Sequence, residues 1–155
     1  MKRTAISLFV VIALAAPVHA SDKPIEASAV PKPVIAKVHT KYPAAKILGY
    51  ELETEDGQTS YEVKIADGAR QLEVLCSADG AIVAEEEKIA IADVPARVRD
   101  ALKNSPKFGS WTVRGAERIV SHEQTSTPVY ELKIASGSKR AELTFSPEGT
   151  LTKTE

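Results

Sequence analysis

The sequence predicts an α+β fold: a tandem repeat of one helix packed on a four-stranded antiparallel meander. Residues 61–86 and 130–155 align without a gap at an offset of 69, and 10 of the 26 aligned positions are identical. In both segments apolar and polar side chains alternate, which is the period of a strand with one buried face. Glycine-containing turns such as Asp67-Gly68 separate these strands, as in antiparallel hairpins.

Residues 1–20 have the three parts of a secretory signal peptide. Lys2 and Arg3 give a positive start, residues 5–17 form an apolar run, and Val18-His19-Ala20 is a small-residue cleavage site. The apolar run is shorter than the roughly 20 residues that a membrane-spanning helix needs. We therefore expect cleavage after Ala20, no membrane anchor in the mature chain, and a periplasmic or secreted location.

The mature chain divides into three parts. Residues 21–29 are polar and contain proline, which predicts a flexible lead-in. Residues 30–88 form the first repeat and residues 89–155 the second. Cleavage removes Lys2 and Arg3 and changes the formal net charge from −1 to −3. Such a chain lacks the basic surface that binding to nucleic acid requires.

Each repeat is expected to begin with a helix and continue with four strands. Ser28 and Asp93 are the predicted N-caps, and Pro43 and Pro106 should end the helices. The apolar stripes of the helices are Val34, Ile35 and Val38 in the first repeat, and Val94, Val98, Ala101 and Leu102 in the second. The strands are predicted near residues 45–53, 61–65, 72–76 and 81–86, and near residues 110–121, 130–134 and 141–145, with a last strand after Glu148-Gly149.

Two unusual residues are both expected in structural roles. Cys76 is the single cysteine, so no intramolecular disulfide can form even in an oxidising compartment. It aligns with Phe145 on the inward face of the repeat, which predicts a buried structural thiol. Trp111 is the single tryptophan and opens the first strand of the second repeat, where core or edge packing is expected.

Both repeats resemble the PepSY-like family of exported bacterial domains, and among them the beta-lactamase-inhibitor-like group. In the first repeat the matching residues are Val30-Pro31, residues 42–47, Tyr61-Glu62-Val63, Leu72-Glu73-Val74 and residues 77–80. In the second they are Val94-Pro95, Pro106, Tyr130-Glu131-Leu132, residues 142–145 and Glu148-Gly149. The second repeat departs from the first at Ser105, where the first has Tyr42, and over residues 120–129. The resemblance implies a non-catalytic module that binds a protein or peptide, and some relatives restrain peptidases or beta-lactamases.

The sequence offers no catalytic, cofactor or metal motif. Only His39 and His122 remain after cleavage, and no metal-ligand spacing or nucleophile–base arrangement accompanies them. We therefore expect no enzymatic activity and no cofactor. An alternative hypothesis is a periplasmic carrier or sensor of a small ligand or metal ion that uses His39, His122 or the glutamates at residues 85–87.

The outward positions of the central strands are the candidate binding face. They are Glu62, Lys64, Gln71, Glu73 and Leu75 in the first repeat, and Glu131, Lys133, Arg140, Glu142 and Thr144 in the second. If the two sheets join edge to edge, these residues form one mixed-charge face that suits docking of an envelope protein or peptide. An ordinary solvated face with cross-strand ion pairs is the alternative. We expect a monomer that regulates or inhibits an envelope peptidase.

Overall fold

The computed structural model describes residues 21–55, 58–122 and 127–155, and the predicted signal peptide lies outside them. The described residues form one antiparallel sheet of nine strands, whose spatial order follows the chain order. The strands are β1 (Ser21–Pro24), β2 (Lys46–Glu55), β3 (Gln58–Asp67), β4 (Arg70–Cys76), β5 (Ile82–Lys88), β6 (Thr112–Ser121), β7 (Val129–Ser136), β8 (Lys139–Phe145) and β9 (Leu151–Thr154). The helices are α1 (Lys32–Lys41) and α2 (Ala96–Lys103). The α+β prediction is confirmed.

The two repeats share one sheet because β5 pairs with β6. The register runs from Ala84 opposite Ser121 to Lys88 opposite Glu117. The first repeat therefore supplies β2–β5 and the second β6–β9, while β1 adds a ninth strand at the edge. Bulges interrupt the pairing at equivalent places in both repeats, between Ile47 and Gly49 and between Val113 and Gly115. Bulges increase the local twist of a sheet and bend it.

The lead-in is more regular than the sequence predicts. Residues 21–24 form β1 against β2, and residues 27–29 form a 3-10 turn. Ile25 continues the pairing, because its backbone N–H donates to the Tyr50 carbonyl at 3.0 Å. The edge of β2 offers unpaired backbone groups, and their pairing outweighs the low strand propensity of this polar segment.

The helices begin later than predicted. Their first residues are Lys32 and Ala96, and Pro31 and Pro95 occupy the N-cap positions. Both residues predicted as N-caps are instead in 3-10 turns upstream, Ser28 within Ala27–Ala29 and Asp93 within Ile91–Asp93. The prediction of these caps is wrong. In both repeats the proline carbonyl accepts the first helical hydrogen bonds, and no side chain caps either helix.

Each helix packs on its own half of the sheet and closes a separate apolar cluster. Val34 and Val38 of α1 meet Val63, Ile65 and Val74, and all five are at most 1% exposed. The second cluster consists of Val94, Val98, Leu102, Phe108, Ala116, Leu132, Ile134, Leu143 and Phe145. Among the described residues no helix has the length and apolarity to cross a bilayer.

Cys76 and Trp111 take the structural positions that the sequence predicts. Cys76 is fully buried in the first cluster, and burial raises the pKa of its thiol to about 11. The equivalent space in the second cluster is filled by Phe145. Trp111 packs at the margin of that cluster, edge-on to Phe108 with 5.4 Å between ring centroids.

The turns after β4 and β8 require glycine because each of them touches a helix backbone. Gly80 and Gly149 have φ of +90° and +91°. A Cβ at Gly80 would lie 2.7 Å from the Pro33 carbonyl oxygen, and one at Gly149 would lie 2.6 Å from that of Arg97. These turns therefore fix the helices against the sheet.

We expect Gly149→Ala to lower the free energy of unfolding by about 3 kcal/mol, because it adds a backbone clash to an unfavourable φ. Gly137→Ala is the control, since Gly137 also has positive φ (+60°) but open space around its Cβ position. It should lose only about 1 kcal/mol. Urea unfolding measures both, and equal losses would contradict the close approach of turn and helix.

Candidate functional site on the helix-free face

Strand alternation places charged residues on the face of the sheet opposite the helices. In β3, Val63 and Ile65 pack in the first apolar cluster, under α1, while Glu62 and Lys64 point to the other side. The same alternation in β7 buries Leu132 and Ile134 and turns Glu131 and Lys133 outward. We call this second side the helix-free face.

A groove of about 340 Å³ runs along the helix-free face and takes residues from both repeats. Eight glutamates and two lysines line it. The first repeat supplies Glu53, Glu62, Glu73 and Glu86, and the second supplies Glu117, Glu131, Glu142 and Glu155 together with Lys133 and Lys153. Leu75, Ala84 and Ile119 form an apolar part of the lining. We call this concavity the acidic groove.

In the first repeat one lysine is surrounded by three glutamates. The Lys64 ammonium lies 2.9 Å from Glu51 Oε2, 3.4 Å from Glu62 Oε1 and 3.9 Å from Glu73 Oε1. Lys88 adds a second cation to Glu73, at 2.9 Å. These ion pairs neutralise part of the negative charge but leave carboxylates in excess.

The second repeat contains a similar arrangement, with two of these contacts. Lys133 Nζ lies 3.0 Å from Glu117 Oε2 and 3.8 Å from Glu131 Oε1. Lys133 is the repeat equivalent of Lys64, and Glu117 stands opposite Glu131 as Glu51 stands opposite Glu62. The glutamate–lysine cluster is thus a duplicated feature of the fold.

Glu62 is a buried carboxyl group of the first repeat. The residue is only 5% exposed. The Lys64 ammonium lies 3.4 Å from its Oε1, but no described group forms a hydrogen bond with this oxygen. Burial is the largest cause that raises the pKa of Glu62 to about 7, and the charge of Glu73 adds to it. Lys64 opposes this shift without cancelling it.

Glu86 lies on β5, the central strand of the sheet, and carboxyl groups of both repeats affect its pKa. Burial raises its pKa to about 8, and the charges of Glu117, Glu131, Glu53 and Glu73 contribute in that order. Those four residues belong to β6, β7, β2 and β4, so carboxylates from distant strands converge on one point. Burial and the neighbouring Glu142 raise the pKa of Glu131 in the same way, to about 7.

Most residues of the predicted binding face line the acidic groove. These are Glu62, Glu73, Leu75, Glu131, Lys133, Glu142 and Thr144. Lys64 lies beside them, within the cluster of Glu51, Glu62 and Glu73. Gln71 and Arg140 are exposed near hairpin ends and do not line the groove, and Arg140 donates to the carbonyls of Gly137 and Lys139.

The predicted binding face did not include Glu86, which the sequence placed only in the carrier hypothesis, and sequence reasoning missed its repeat equivalent Glu155 as well as Glu53 and Glu117. For Glu86 and Glu155 the internal repeat contained a usable signal. At the offset of 69, Glu86 and Glu155 are one of the identical pairs, beside Glu62 with Glu131, Lys64 with Lys133, and Glu73 with Glu142. Four of the ten identities therefore belong to the acidic groove and its lysines.

Of the residues in the carrier hypothesis, the structure brings Glu85 and His122 into contact and places Glu86, Glu87 and His39 elsewhere. Glu85 and Glu87 stand opposite Val74 and Leu72 on the helix side, whereas Glu86 enters the groove. Glu85 binds Lys41 and His122, at 2.7 and 2.8 Å, and also accepts a hydrogen bond from the Tyr42 hydroxyl. Glu87 binds Arg70. His39 is exposed on the last turn of α1.

Among the described residues, one acidic group is compact enough to be considered for a metal ion. Ligand oxygens of Glu131, Glu142 and Glu155 lie within 4.8 Å of one another. Lysines already approach two of them, because Lys133 lies 3.8 Å from Glu131 and Lys153 lies 3.2 Å from Glu155. An exposed acidic group of this kind does not by itself indicate a metal.

The duplicated sheet agrees with a known family. The family model described as PepSY-like and beta-lactamase-inhibitor-like matches residues 17–84 and 59–153. The chain belongs to this family. The resemblance seen in the sequence is therefore confirmed, and the two matching regions overlap over residues 59–84 of this PepSY-like chain. No curated protein matches it.

Solved structures from Bacteroides share the fold. A protein of Bacteroides eggerthii is 18% identical with a TM-score of 0.67, covering 81% of this chain and 88% of its own. A BLIP-like protein of Bacteroides fragilis is 20% identical with a TM-score of 0.63, covering 81% and 85%. A DUF2874 family protein of Bacteroides ovatus is 19% identical with a TM-score of 0.66, covering 81% and 86%. At such identities the likeness concerns the fold alone.

The raised pKa values of the groove carboxyls predict a stability that falls as pH rises. A folded-state pKa above the ordinary 4.5 means that the folded chain holds a proton which the unfolded chain has released. This contribution is lost between about pH 4.5 and pH 8. Because glutamine cannot ionise, Glu86→Gln should be more stable than wild type at pH 8.5, by on the order of 1 kcal/mol, with the difference shrinking towards pH 5.

Urea unfolding at several pH values measures this effect. Glu26→Gln is the matched control, because Glu26 is exposed in the lead-in and away from the groove. Its stability profile should follow that of wild type. Parallel profiles for wild type and Glu86→Gln would show that Glu86 carries no raised pKa.

Proposed function

We propose that this PepSY-like chain is a non-enzymatic periplasmic module that binds a protein or peptide on its helix-free face. The observation that carries the proposal is the acidic groove, in which partly desolvated carboxylates from both repeats converge. Each helix covers the opposite side of the sheet, so the helix-free face is the side that remains available for docking. Restraint of an envelope peptidase or beta-lactamase is the most concrete form of this function.

The arrangement of charge supports binding over an ordinary solvated surface. Surface charges of a stable domain are usually interspersed and fully hydrated. In the acidic groove like charges are gathered and partly buried, which raises their pKa values and costs folding free energy. Ionisable groups whose pKa values are shifted by burial and by neighbouring charges are characteristic of functional sites.

The comparison of the two repeats supports the same face. Folding alone explains the identity of Tyr61 with Tyr130 and of Gly80 with Gly149, since these residues serve the core and the helix-contacting turns. It does not require the same glutamates and lysines on the opposite side of the sheet. Their retention in both copies favours a shared role of the two halves of the groove.

A catalytic role has little support among the described residues. Cys76 is buried, and its raised pKa keeps the thiol protonated and unreactive. His122 contacts Glu85, and none of the described hydroxyl or thiol groups is hydrogen-bonded to the imidazole. The family description, beta-lactamase-inhibitor-like, is that of a binding protein.

The periplasm is the proposed location for two independent reasons. Residues 1–20 have the charge, apolar run and small-residue site of a secretory signal peptide. The name of the similar protein from Bacteroides eggerthii suggests the periplasm as well.

Affinity capture from a periplasmic extract, followed by mass spectrometry, tests the proposed face. We expect Glu73→Lys and Glu142→Lys to reduce recovery of the partner by about tenfold or more, because they reverse charges inside the groove. Arg140→Glu is the control, since it reverses a charge on the same side but outside the groove. If both groove variants keep the circular dichroism of wild type and still retain the partner, the binding face lies elsewhere.

A further inference from the structure

We propose that the acidic groove recognises a positively charged segment of the partner, whose arginine or lysine side chains enter between the glutamates around Glu86. This inference rests on the proposed function and specifies the chemistry of the partner. Three observations support it: the negative charge of the groove, the buried Glu62 oxygen that accepts no hydrogen bond, and the distribution of the carboxylates across the strands.

Charge complementarity is the first argument. With all groups ionised, the residues that line the groove carry a formal excess of six negative charges, from eight glutamates and two lysines. Lys64 and Lys88 reduce this excess from the margin of the groove without removing it. A cationic segment would replace repulsion between carboxylates by charge-assisted hydrogen bonds.

The buried oxygen of Glu62 is the second argument. Glu62 lines the groove and is 5% exposed, and its Oε1 has an ion-pair neighbour in Lys64 at 3.4 Å but accepts no hydrogen bond from the described protein groups. A buried acceptor without a donor costs on the order of 1–3 kcal/mol. A guanidinium or ammonium group in the groove would supply the hydrogen bond that Lys64 does not form with this oxygen.

The spread of the carboxylates favours a segment with several cationic side chains over a single metal ion. Glu53 lies on β2 and Glu155 follows β9, so acceptors occur along most of the sheet. A metal ion needs its oxygen ligands in one shell at about 2.3–2.6 Å for calcium. Among the described residues, only Glu131, Glu142 and Glu155 come within 4.8 Å of one another, and lysines approach this group.

Binding of such a segment should release protons. Glu86 faces Glu73 from β4, Glu117 from β6, Glu131 from β7, Glu53 from β2 and Lys88 from its own strand, while Lys133 and Lys153 line the same groove. The carboxyl groups of Glu62, Glu86 and Glu131 have pKa values of about 7, 8 and 7. A cationic ligand favours their ionised form, so affinity rises as pH increases from 6 to 8.5.

Isothermal titration calorimetry on the mature chain tests the inference. The probe is a short blocked peptide of alternating arginine and glycine, whose charge does not change over this pH range. We expect at least about tenfold tighter binding at pH 8.5 than at pH 6. Titrations in two buffers of different ionisation enthalpy should detect the released protons. Glu86→Gln should release fewer protons than wild type, and the exposed Glu26→Gln should behave as wild type.

Three outcomes would overturn the inference: no binding of the arginine peptide at either pH, binding of equal strength at both, or equal binding of a matched glutamate–glycine peptide. Tighter binding of spermidine, or saturation by calcium alone with no peptide binding, would also overturn it. Failure here is distinct from failure of the proposed function. A partner captured on the groove would then remain, but its contact segment would not be cationic.

Discussion

The pairing of β5 with β6 is the constraint on which the rest of the structure depends. Each repeat has roughly 60 residues, and a domain of that size buries little apolar surface alone. The pairing joins the two halves into one sheet and brings Glu86 and Glu117 to the same side. It also places Glu85 between the end of α1 and His122, so that one carboxylate binds groups from both repeats.

The acidic groove is a direct consequence of how the core is built. A strand that turns every second side chain toward a helix must turn the others away, and in this chain many of those others are glutamates. Bulges at equivalent positions in the two repeats bend the sheet, and carboxylates from strands as far apart as β2 and β7 act on Glu86. The folding of the apolar face and the electrostatics of the opposite face are therefore coupled.

Local pattern predicted most of the fold and part of the site. Alternation and the internal repeat identified the strands, the inward position of Cys76 and seven of the residues that line the groove. The run at residues 85–87 was read as one charged unit, although a strand distributes such a run over both faces. Glu53 and Glu117 could not be assigned because their meeting with Glu86 depends on curvature and on the β5–β6 register, which no local pattern contains.

Carboxyl groups of both repeats converge at Glu86, where burial and the charges of these neighbours raise its pKa. A pH titration of the glutamate side-chain carboxyl carbons by nuclear magnetic resonance, with Glu86→Gln used to assign its signal, tests this convergence. We expect Glu86 to titrate near pH 8, well above the ordinary value of 4.5, and its titration to be coupled to that of Glu131. Titration of Glu86 near 4.5, independent of Glu131, would show that the carboxyl groups do not converge there.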